Sequence, residues 1–498
     1  MTFSFPRLLA AALAAVVIPA VAEVADAVPQ AADTFTVTTP ADNANNAAPT
    51  VGSLRWAIQQ ANANSNLTTI NFSMPGCPVV MSLGGAVLPD VTSSVTIDGY
   101  SAAGSSANTT FGLFNATLCV LLNGNGSLAN GLHTSGNGRL DVSGLGFAGF
   151  TDAAIRLDSG NGNVVSGNQI GGIILLAQNK DGVRVSATAM NSIIGGDANP
   201  GRVNLIVGNT GAGVSVDSAG GGNFVDHDLI GIGPDGVAVN GNNVGVYIFN
   251  SPANYVLSCL IAGNATQGVL IAGPSTVGTT LQNNAIGQTN TGGNAANGTE
   301  GVQITFGAAA STIGATQTGV IDGNTIYANG AAVWLTSTAG QQNRVLANQE
   351  MYSAILGLPV DLGAAGPTAN DALDADAGPN GLQNYPVMLH AYRTLSAEWI
   401  EGTLDTVAGE EFRLDLYWSP CCGSGRGNAT YFAGIGSSGT TDVAGHAHFW
   451  IRTPPFPYPS VGRLSATATR TNGDTSETGD AAAEIVGDMI FRDDFESP

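Results

Sequence analysis

The triplet Asp226-His227-Asp228 is the arrangement in this sequence that most directly suggests catalysis. Two carboxylates beside an imidazole can accept, hold and return a proton, as general acid–base catalysis requires. The triplet also has a structural interpretation, because Asp228 and His227 align with Asn168 and Gly167 of a similar segment earlier in the chain. That alignment favours a corner of the fold, and both interpretations stay open here.

A second acidic group, Asp371, Asp374 and Asp376, lies in a segment that contains Gly and Pro. Carboxylate oxygens are the ligands that Ca²⁺ prefers, so these residues are candidate calcium ligands. They do not form an EF-hand loop, because the fifth residue counted from Asp374 is Gly378 and the twelfth is Tyr385. A solvated loop is the alternative, and the sequence indicates no other cofactor.

The amino terminus has the features of a secretory signal. Arg7 precedes an apolar run that ends at Ala22 in a small-x-small site, and a second such site ends at position 27. We expect a signal peptide over residues 1–22, with 27 as the alternative end, and export to the cell surface or the medium. Glu23 interrupts the run before the ~20 apolar residues that a membrane span needs.

Five cysteines fit an exported chain, in which disulfides can form. Cys77 and Cys119 are the expected pair, because both lie in the amino-terminal region. Cys259 has apolar neighbours and is expected to be a buried thiol, while Cys421 and Cys422 are adjacent near the carboxyl terminus. Neither a C-x-x-C motif nor a Cys/His cluster occurs, so the sequence does not indicate zinc.

Charge excludes some classes of partner, and composition indicates the class of fold. The formal net charge is −22, from 37 acidic and 15 basic residues, so nucleic acid and anionic membranes are not expected partners. Gly contributes 68 residues and 44% of the chain is hydrophobic. A core can therefore form, but Gly and β-branched residues disfavour helices, and we predict an all-β protein.

A short strand motif recurs through the middle of the chain, which we call the anchor: a small residue, an aliphatic residue, any residue, and an aliphatic residue. The spacing between copies is 23 to 33 residues. Repeats of this period indicate a solenoid, in which each unit buries its apolar face against its neighbours. The anchors begin at Ala154, Gly182, Gly213, Gly245, Gly268, Gly301 and Ala332.

Gly- and Asn-rich corners separate about three short strands in each repeat. Gly and Asn tolerate the left-handed backbone that a tight corner needs. Equivalent asparagines on stacked coils are expected to hydrogen-bond along the axis as a ladder. The expected ladder contains Asn168, Asn209, Asn284, Asn324 and Asn348.

These repeats resemble the parallel β-helix coils of pectate-lyase-like secreted bacterial proteins. Residues 33–72 resemble the amino-terminal cap of β-helices in bacterial surface proteins, with a short helix capped by Ser53 and an apolar face that includes Leu54 and Ile58. The resemblance implies a right-handed parallel β-helix solenoid with an amino-terminal cap. The predicted all-β fold is this solenoid followed by a carboxyl-terminal antiparallel β-sandwich, which the alternation after residue 386 indicates.

The expected domain boundaries follow changes in composition along the chain. The cap over 33–72 is followed by the parallel β-helix over 73–360 and an acidic linker over 361–386. Alternating apolar and polar residues then indicate a β-sandwich over 387–487, and 488–498 is a carboxyl-terminal tail of the kind seen in exported bacterial proteins.

Enzymes on this fold chiefly cleave acidic polysaccharides, and the resemblance implies their catalytic residues. Lyases use a Lys or Arg base beside calcium-binding carboxylates, and hydrolases use three aspartates with Gly-His-Gly and Arg-x-Lys motifs. Neither motif occurs here, and the single lysine, Lys180, lies at a corner before an anchor.

The middle residue of each anchor must point outward, because alternate residues of a strand face opposite sides. These residues are Arg156, Arg184, Ser215, Tyr247, Leu270, Gln303 and Trp334. Aromatic residues on an outward face suit stacking on sugars, so Tyr247 and Trp334 are candidate platforms, flanked by Arg156 and Gln303.

The next outward position adds Asp158 and Asp217, two coils apart. Two strand spacings are about 9.6 Å, close to the separation expected for an inverting glycosidase pair. Any catalysis is therefore expected to use these two carboxylates with Arg184. The sequence as a whole favours a non-catalytic surface protein for adhesion or glycan binding; a glycoside hydrolase or polysaccharide lyase is the alternative, and the expected partner is a polysaccharide.

Overall fold

The computed structural model describes residues 33–172, 177–315, 322–353, 358–393, 396–420, 429, 431–436, 439–458, 462–479 and 482–486. The expected signal peptide, the expected tail, Cys421 and Cys422 lie outside these residues. The described residues form a right-handed parallel β-helix followed by a mostly antiparallel β-domain, which confirms the predicted fold class. None of their helices has the length and apolarity needed to cross a bilayer.

Each complete coil contributes one strand to each of three parallel sheets, which we name A, B and C. Sheet A contains Asp33–Val37, Thr68–Phe72, Ser94–Asp98, Arg139–Ser143, Val164–Ser166, Ile193–Gly195, Phe224–Asp226, Tyr255–Leu257, Thr280–Gln282, Thr312–Gly314 and Arg344–Leu346. Sheet B contains Asp181–Ser186, Ala212–Asp217, Val244–Phe249, Val269–Ala272, Val302–Thr305, Val333–Thr336 and Val360–Gly363. Sheet C contains Val79–Ser82, Gln169–Ile170, Leu205–Ile206, Leu229–Ile230, Leu260–Ile261, Ala285–Ile286, Thr325–Asn329 and Glu350–Ser353.

Two long strands, Val120–Thr134 and Leu145–Leu157, bend at the corner between sheets C and B. Their first residues pair in sheet C and their last residues pair in sheet B. The anchors form sheet B, and their aliphatic side chains face inward: Val214 is 0% exposed and Val216 is 1% exposed. Because equivalent aliphatics stack in register from coil to coil, they form one continuous apolar column.

Polar side chains run along the axis at each of the three corners. At the corner from A to C, a side-chain acceptor of one rung, Oδ1 or the Sγ of Cys259, accepts a hydrogen bond from the backbone N–H of the preceding rung. For example, Asn324 Oδ1 accepts from Asn284 N at 3.0 Å. The rungs of this ladder are Asn168, Asn204, Asp228, Cys259, Asn284, Asn324 and Asn348. Asn209 was predicted to belong here but lies at the corner from C to B, in a ladder of Asn179, Asn209, Asn242, Asn264 and Asn297.

At five of the seven rungs, the residue just before the rung has a left-handed backbone, and the rung itself does not. Gly167, His227 and Ser258 have φ of 67°, 60° and 53°. This conformation turns the chain so that the following side chain points along the axis. Gly167 adopts this conformation without strain, whereas His227, at the equivalent corner position, is strained in it.

Asp228 replaces an amide in the A-to-C ladder and is completely buried. Its Oδ1 accepts hydrogen bonds from N and Nδ2 of Asn204 at 2.8 and 3.1 Å. Its Oδ2 has no hydrogen-bond partner among the described residues, whereas Nδ2 of Asn204 donates to the Val165 carbonyl at 2.8 Å. Burial, and to a smaller extent Asp226, raise the pKa of Asp228 well above its ordinary value, which favours the neutral carboxyl.

The amino-terminal end of the column is covered by the helix Leu54–Asn62. The Ser53 hydroxyl accepts a hydrogen bond from Trp56 N at 3.2 Å, and Leu54 and Ile58 are buried against the first coils. The buried guanidinium of Arg55 forms an ion pair with Asp42 at 2.6 Å. Cys77 and Cys119 are joined by a disulfide, with 4.5 Å between their Cα atoms, and Cys259 is a buried free thiol.

The carboxyl-terminal domain has two layers that share a core. Phe412, Leu414, Phe449 and Ile451 are among the residues that pack between the layers. The layers are connected through Ala482–Val486, which pairs parallel in one layer and antiparallel in the other. The remaining strands are Val387–Arg393, Glu398–Asp405, Glu411–Pro420, Tyr431–Ile435, Gly439–Thr440, His446–Thr453 and Gly462–Arg470.

This domain and the segment before it close the carboxyl-terminal end of the solenoid. Asn380 Oδ1 accepts a hydrogen bond from Asn343 N at 2.9 Å, as the next coil would. Asp415 Oδ2 accepts one from Ala347 N at 3.0 Å, and Thr475 Oγ1 accepts one from Val345 N at 3.0 Å. The segment predicted as an acidic linker is therefore packed over part of its length, where Asn380 supplies the acceptor of a missing coil.

We predict that Asp228→Asn removes a pH-dependent loss of stability. Because the pKa of Asp228 is raised in the folded state, Asp228 contributes fully to the unfolding free energy only below the unfolded-state pKa of about 3.9. That contribution is lost as the pH rises. The unfolding free energy of the variant should exceed that of the native chain by a margin that grows by about 1.4 kcal/mol per pH unit above pH ~4, while Asp228 stays protonated.

Urea denaturation from pH 4 to 7 measures this margin. Asp226→Asn, which changes the neighbouring carboxyl that pairs with His227, is the matched control and should not reproduce the slope. A difference between Asp228→Asn and the native chain that stays constant over this range would contradict the assignment.

Candidate functional site

The outward residues of sheet B form one row in strict register. Successive pairs join His133 to Arg156, Arg156 to Arg184, Arg184 to Ser215 and Ser215 to Tyr247. The row then continues through Leu270, Gln303 and Trp334. The structure thus brings the middle residues of the anchors onto one face, which we call the B face.

The amino-terminal half of the B face is a network of charged side chains. Arg156 reaches Asp152 at 2.7 Å and Asp158 at 2.8 Å. Arg184 reaches Asp152 at 3.2 Å and Asp217 at 2.7 Å. The two guanidiniums therefore link Asp158 to Asp217 through the carboxylate of Asp152.

His133 extends this network toward the amino terminus. Its Nε2 lies 3.0 Å from Asp158 Oδ2, and its Nδ1 lies 2.8 Å from Asp90 Oδ1. The hydrogen bond with Asp158 and the charge of Asp90 raise the pKa of His133, although burial acts in the opposite direction. Protonated, the imidazole donates to both carboxylates.

Asp158 is an ionised hydrogen-bond acceptor in this network. Burial alone raises the pKa of Asp158, but hydrogen bonds from His133 and Ser186 and the charge of Arg156 lower it to about 2. The Ser186 hydroxyl donates to Asp158, and Ser186 pairs with Asp217 in the strand register. Asp158 and Asp217 thus lie on alternate coils of one sheet, and Asp158 has no proton to donate near neutral pH.

The carboxyl-terminal half of the B face carries the aromatic residues. Tyr247 stacks on Phe249 of the same strand, with 5.9 Å between ring centroids and 19° between planes. Trp334 Nε1 donates to the Gly363 carbonyl at 3.2 Å, which fixes the indole ring. Both predicted platforms are half-buried, so each offers part of its ring to solvent. Gln303, between them in the row, accepts a hydrogen bond from Gln267 at 3.1 Å.

Sequence reasoning missed three members of the charged network: His133, Asp152 and Asp90. Gly131-Leu132-His133 has the first three positions of an anchor, but Thr134 occupies the last aliphatic position. A definition of the anchor that also allowed Thr at its last position would have identified His133. Asp152 and Asp90 carry no such signal, because each reaches the network from outside an anchor.

The Asp226-His227-Asp228 triplet does not form a site. Asp228 points along the ladder, while His227 Nδ1 pairs with Asp226 Oδ1 at 2.6 Å and its ring contacts Phe111. The carboxyls that flank His227 in sequence therefore have different environments. The structural interpretation of the triplet is the one that fits this geometry.

Asp371, Asp374 and Asp376 come together near the start of the carboxyl-terminal domain, with oxygen atoms within 4.8 Å of one another. Asp374 is buried and already has partners: Asn384 N donates to Oδ1 at 2.8 Å, and Arg470 Nη1 lies 3.2 Å from Oδ2. The Arg470 guanidinium supplies the positive charge that a calcium ion would otherwise bring.

Comparisons with known proteins identify no family. No protein-family model matches the chain. No curated protein matches it.

The chain is similar to several solved structures, among them two viral proteins and a lyase. ORF18 of Geobacillus virus E2 is 10% identical, with a TM-score of 0.36 over 89% of this chain and 85% of that chain. The enzymatically active domain of bacteriophage CBA120 tailspike protein 2 is 11% identical, with a TM-score of 0.31 over 91% of this chain and 76% of that chain. The alginate lyase of Paenibacillus sp. str. FPU-7 is 15% identical, with a TM-score of 0.33 over 68% of this chain and 99% of that chain.

We predict that Ca²⁺ does not stabilise this protein through the acidic cluster. Because Arg470 already balances Asp374, about 5 mM CaCl₂ should change the melting temperature by less than about 1 °C. Differential scanning calorimetry with and without EDTA measures the effect. A saturable rise of several degrees that Asp376→Asn abolishes would show that the cluster binds calcium.

Proposed function

We propose that this chain is an exported protein that binds an extended glycan along the B face without cleaving it. The observation that carries the proposal is the unbroken register of eight outward side chains, from His133 to Trp334. Seven strand spacings of ~4.8 Å make this row about 34 Å long. A straight row of that length suits an extended polymer.

The two halves of the B face suit different parts of a sugar. Hydroxyl groups can hydrogen-bond to the ordered carboxylates and guanidiniums around Arg156 and Arg184. The partly exposed rings of Tyr247 and Trp334 can stack on the apolar faces of sugar rings. Gln303, between the rings, adds an amide that can donate and accept hydrogen bonds.

Charge favours a neutral or weakly charged glycan. The charged half contains four aspartates, Asp90, Asp152, Asp158 and Asp217, which outnumber its two arginines even when His133 is protonated. Each arginine is already paired with two carboxylates. A polyanion would therefore meet a face without excess positive charge on a chain of net charge −22.

A second candidate function is glycan cleavage, favoured by the convergence of these carboxylates with an imidazole. An inverting hydrolase needs one protonated acid and one ionised base. Asp158, with a pKa of about 2, cannot supply the proton, so His133 is the better acid in this alternative and Asp217 or Asp158 the base. Arg184 would then orient Asp217, which it contacts at 2.7 Å.

Binding is tested with immobilised neutral polysaccharides, namely a glucan, a mannan and a xylan, with alginate as the charged comparison. We expect the native chain to retain at least one neutral polymer and Tyr247→Ala/Trp334→Ala to bind it at least about tenfold more weakly, equivalent to ~1.4 kcal/mol. Trp450→Ala, which removes an aromatic ring that is 44% exposed on the carboxyl-terminal domain, is the control and should bind normally. Unchanged binding by the double variant would eliminate the aromatic platform.

Cleavage is tested on the same polymers by new reducing ends and by absorbance at 235 nm, which detects the unsaturated product of a lyase. The non-catalytic proposal expects neither signal. Turnover by the native chain that is lost in Asp158→Asn/Asp217→Asn would replace it with the enzymatic alternative. Turnover that survives in this variant would exclude the carboxylate pair.

A further inference from the structure

A cavity of about 220 Å³ lies where the last strand of sheet A meets the carboxyl-terminal domain. Three arginines line it: Arg344 from the solenoid, and Arg413 and Arg470 from two adjacent strands of the domain. The chain has only 15 basic residues against 37 acidic ones. Three guanidiniums therefore line one small cavity, and two of them, Arg413 and Arg470, are paired with buried aspartates.

Buried aspartates hold two of these guanidiniums in place. Arg413 Nε donates to Asp415 Oδ1 at 2.8 Å. Arg470 donates to Asp374 at 3.2 Å through Nη1 and to Asp474 at 2.8 Å through Nη2. These contacts hold the two guanidiniums in fixed positions beside the cavity.

Two of the remaining nitrogens are unpartnered. Arg413 Nη2 and Arg470 Nε are buried and have no hydrogen-bond partner among the described residues. The Arg470 side chain is only 11% exposed. A buried cationic group without an acceptor is unfavourable, so negative charge in the cavity that these two arginines line is stabilising.

Arg344 completes the site with a charge that has no carboxylate partner in the described part of the chain. Its contact in this region is Nη2 to the Asn472 carbonyl at 3.3 Å. Leu346 and Phe412 add apolar lining, and Glu411, which is exposed, adds a carboxylate. Arg344 is therefore the lining guanidinium whose charge is not paired with an aspartate in the described residues.

We propose that this cavity binds a small oxyanion, a carboxylate or phosphate group carried by a molecule no larger than one sugar ring. Planar guanidiniums are suited to two-point contacts with such anions. At about 220 Å³, the cavity is smaller than the ~300–1,000 Å³ of typical small-molecule sites, which favours a ligand of at most one ring. The site lies apart from the B face and does not depend on the proposed glycan binding there.

The anionic group belongs either to a free inorganic ion or to an acidic sugar. Isothermal titration in low-salt HEPES buffer with sodium phosphate, sodium sulfate and sodium glucuronate separates them. We expect saturable binding with Kd near 1 mM, about −4 kcal/mol, which weakens as NaCl is added. A preference for glucuronate identifies an acidic sugar, and equal binding of all three identifies a general oxyanion site.

Arg344→Gln and Arg413→Gln should each weaken binding at least tenfold. Arg344→Gln is the decisive variant, because it leaves no buried aspartate unpaired, whereas Arg413→Gln does so at Asp415. Arg452→Gln, which removes the same charge from the exposed strand His446–Thr453, is the control and should bind as the native chain does. The absence of saturable binding for all three anions, or binding unchanged in Arg344→Gln, would overturn the proposal.

Discussion

Hydrogen bonding along the solenoid axis is the constraint on which the rest of this structure depends. Each strand of a coil has its backbone groups satisfied only by the coils before and after it. The corners obey the same rule through side chains, as when Asn324 Oδ1 accepts from Asn284 N. An internal coil is therefore complete, but the first and last coils are not, and each end needs a different structure to finish it. The helix Leu54–Asn62 covers one end, while Asn380, Asp415 and Thr475 supply acceptors at the other.

The strand register was predictable because it follows from burial. A shift of one residue would move every aliphatic residue of an anchor to the outside, so the pattern admits one register. The sequence distinguished the three corners of a coil less well, because residues at all three corners include a left-handed residue followed by a small polar one. Asn209 was placed in the wrong ladder for this reason. Asp228 and Cys259 show that the position requires a buried side chain of suitable size that can join the axial hydrogen bonding, not asparagine itself.

The candidate site was predictable in position but not in chemistry. Alternation along the anchors placed Tyr247 and Trp334 on the B face, but it could not show that Arg156 and Arg184 are held by Asp152. Ion pairs depend on side-chain directions and on residues outside the repeat. The acidic segment near residue 374 shows the same limit: its composition is typical of a solvated loop, but Arg470, 96 residues later, pairs with Asp374.

The distribution of cations connects the scaffold to the proposed function. In a chain with 37 acidic residues and 15 basic ones, positive charge is scarce. Arg55, Arg156, Arg184, Arg413 and Arg470 each bind an aspartate, so their main effect is to order carboxylates. A B face built in this way presents fixed hydrogen-bonding groups without a strong field, which suits hydroxyl-rich polymers better than polyanions. Arg344 differs because it has no such aspartate in the described residues, and its cavity is where an anion can supply the missing charge.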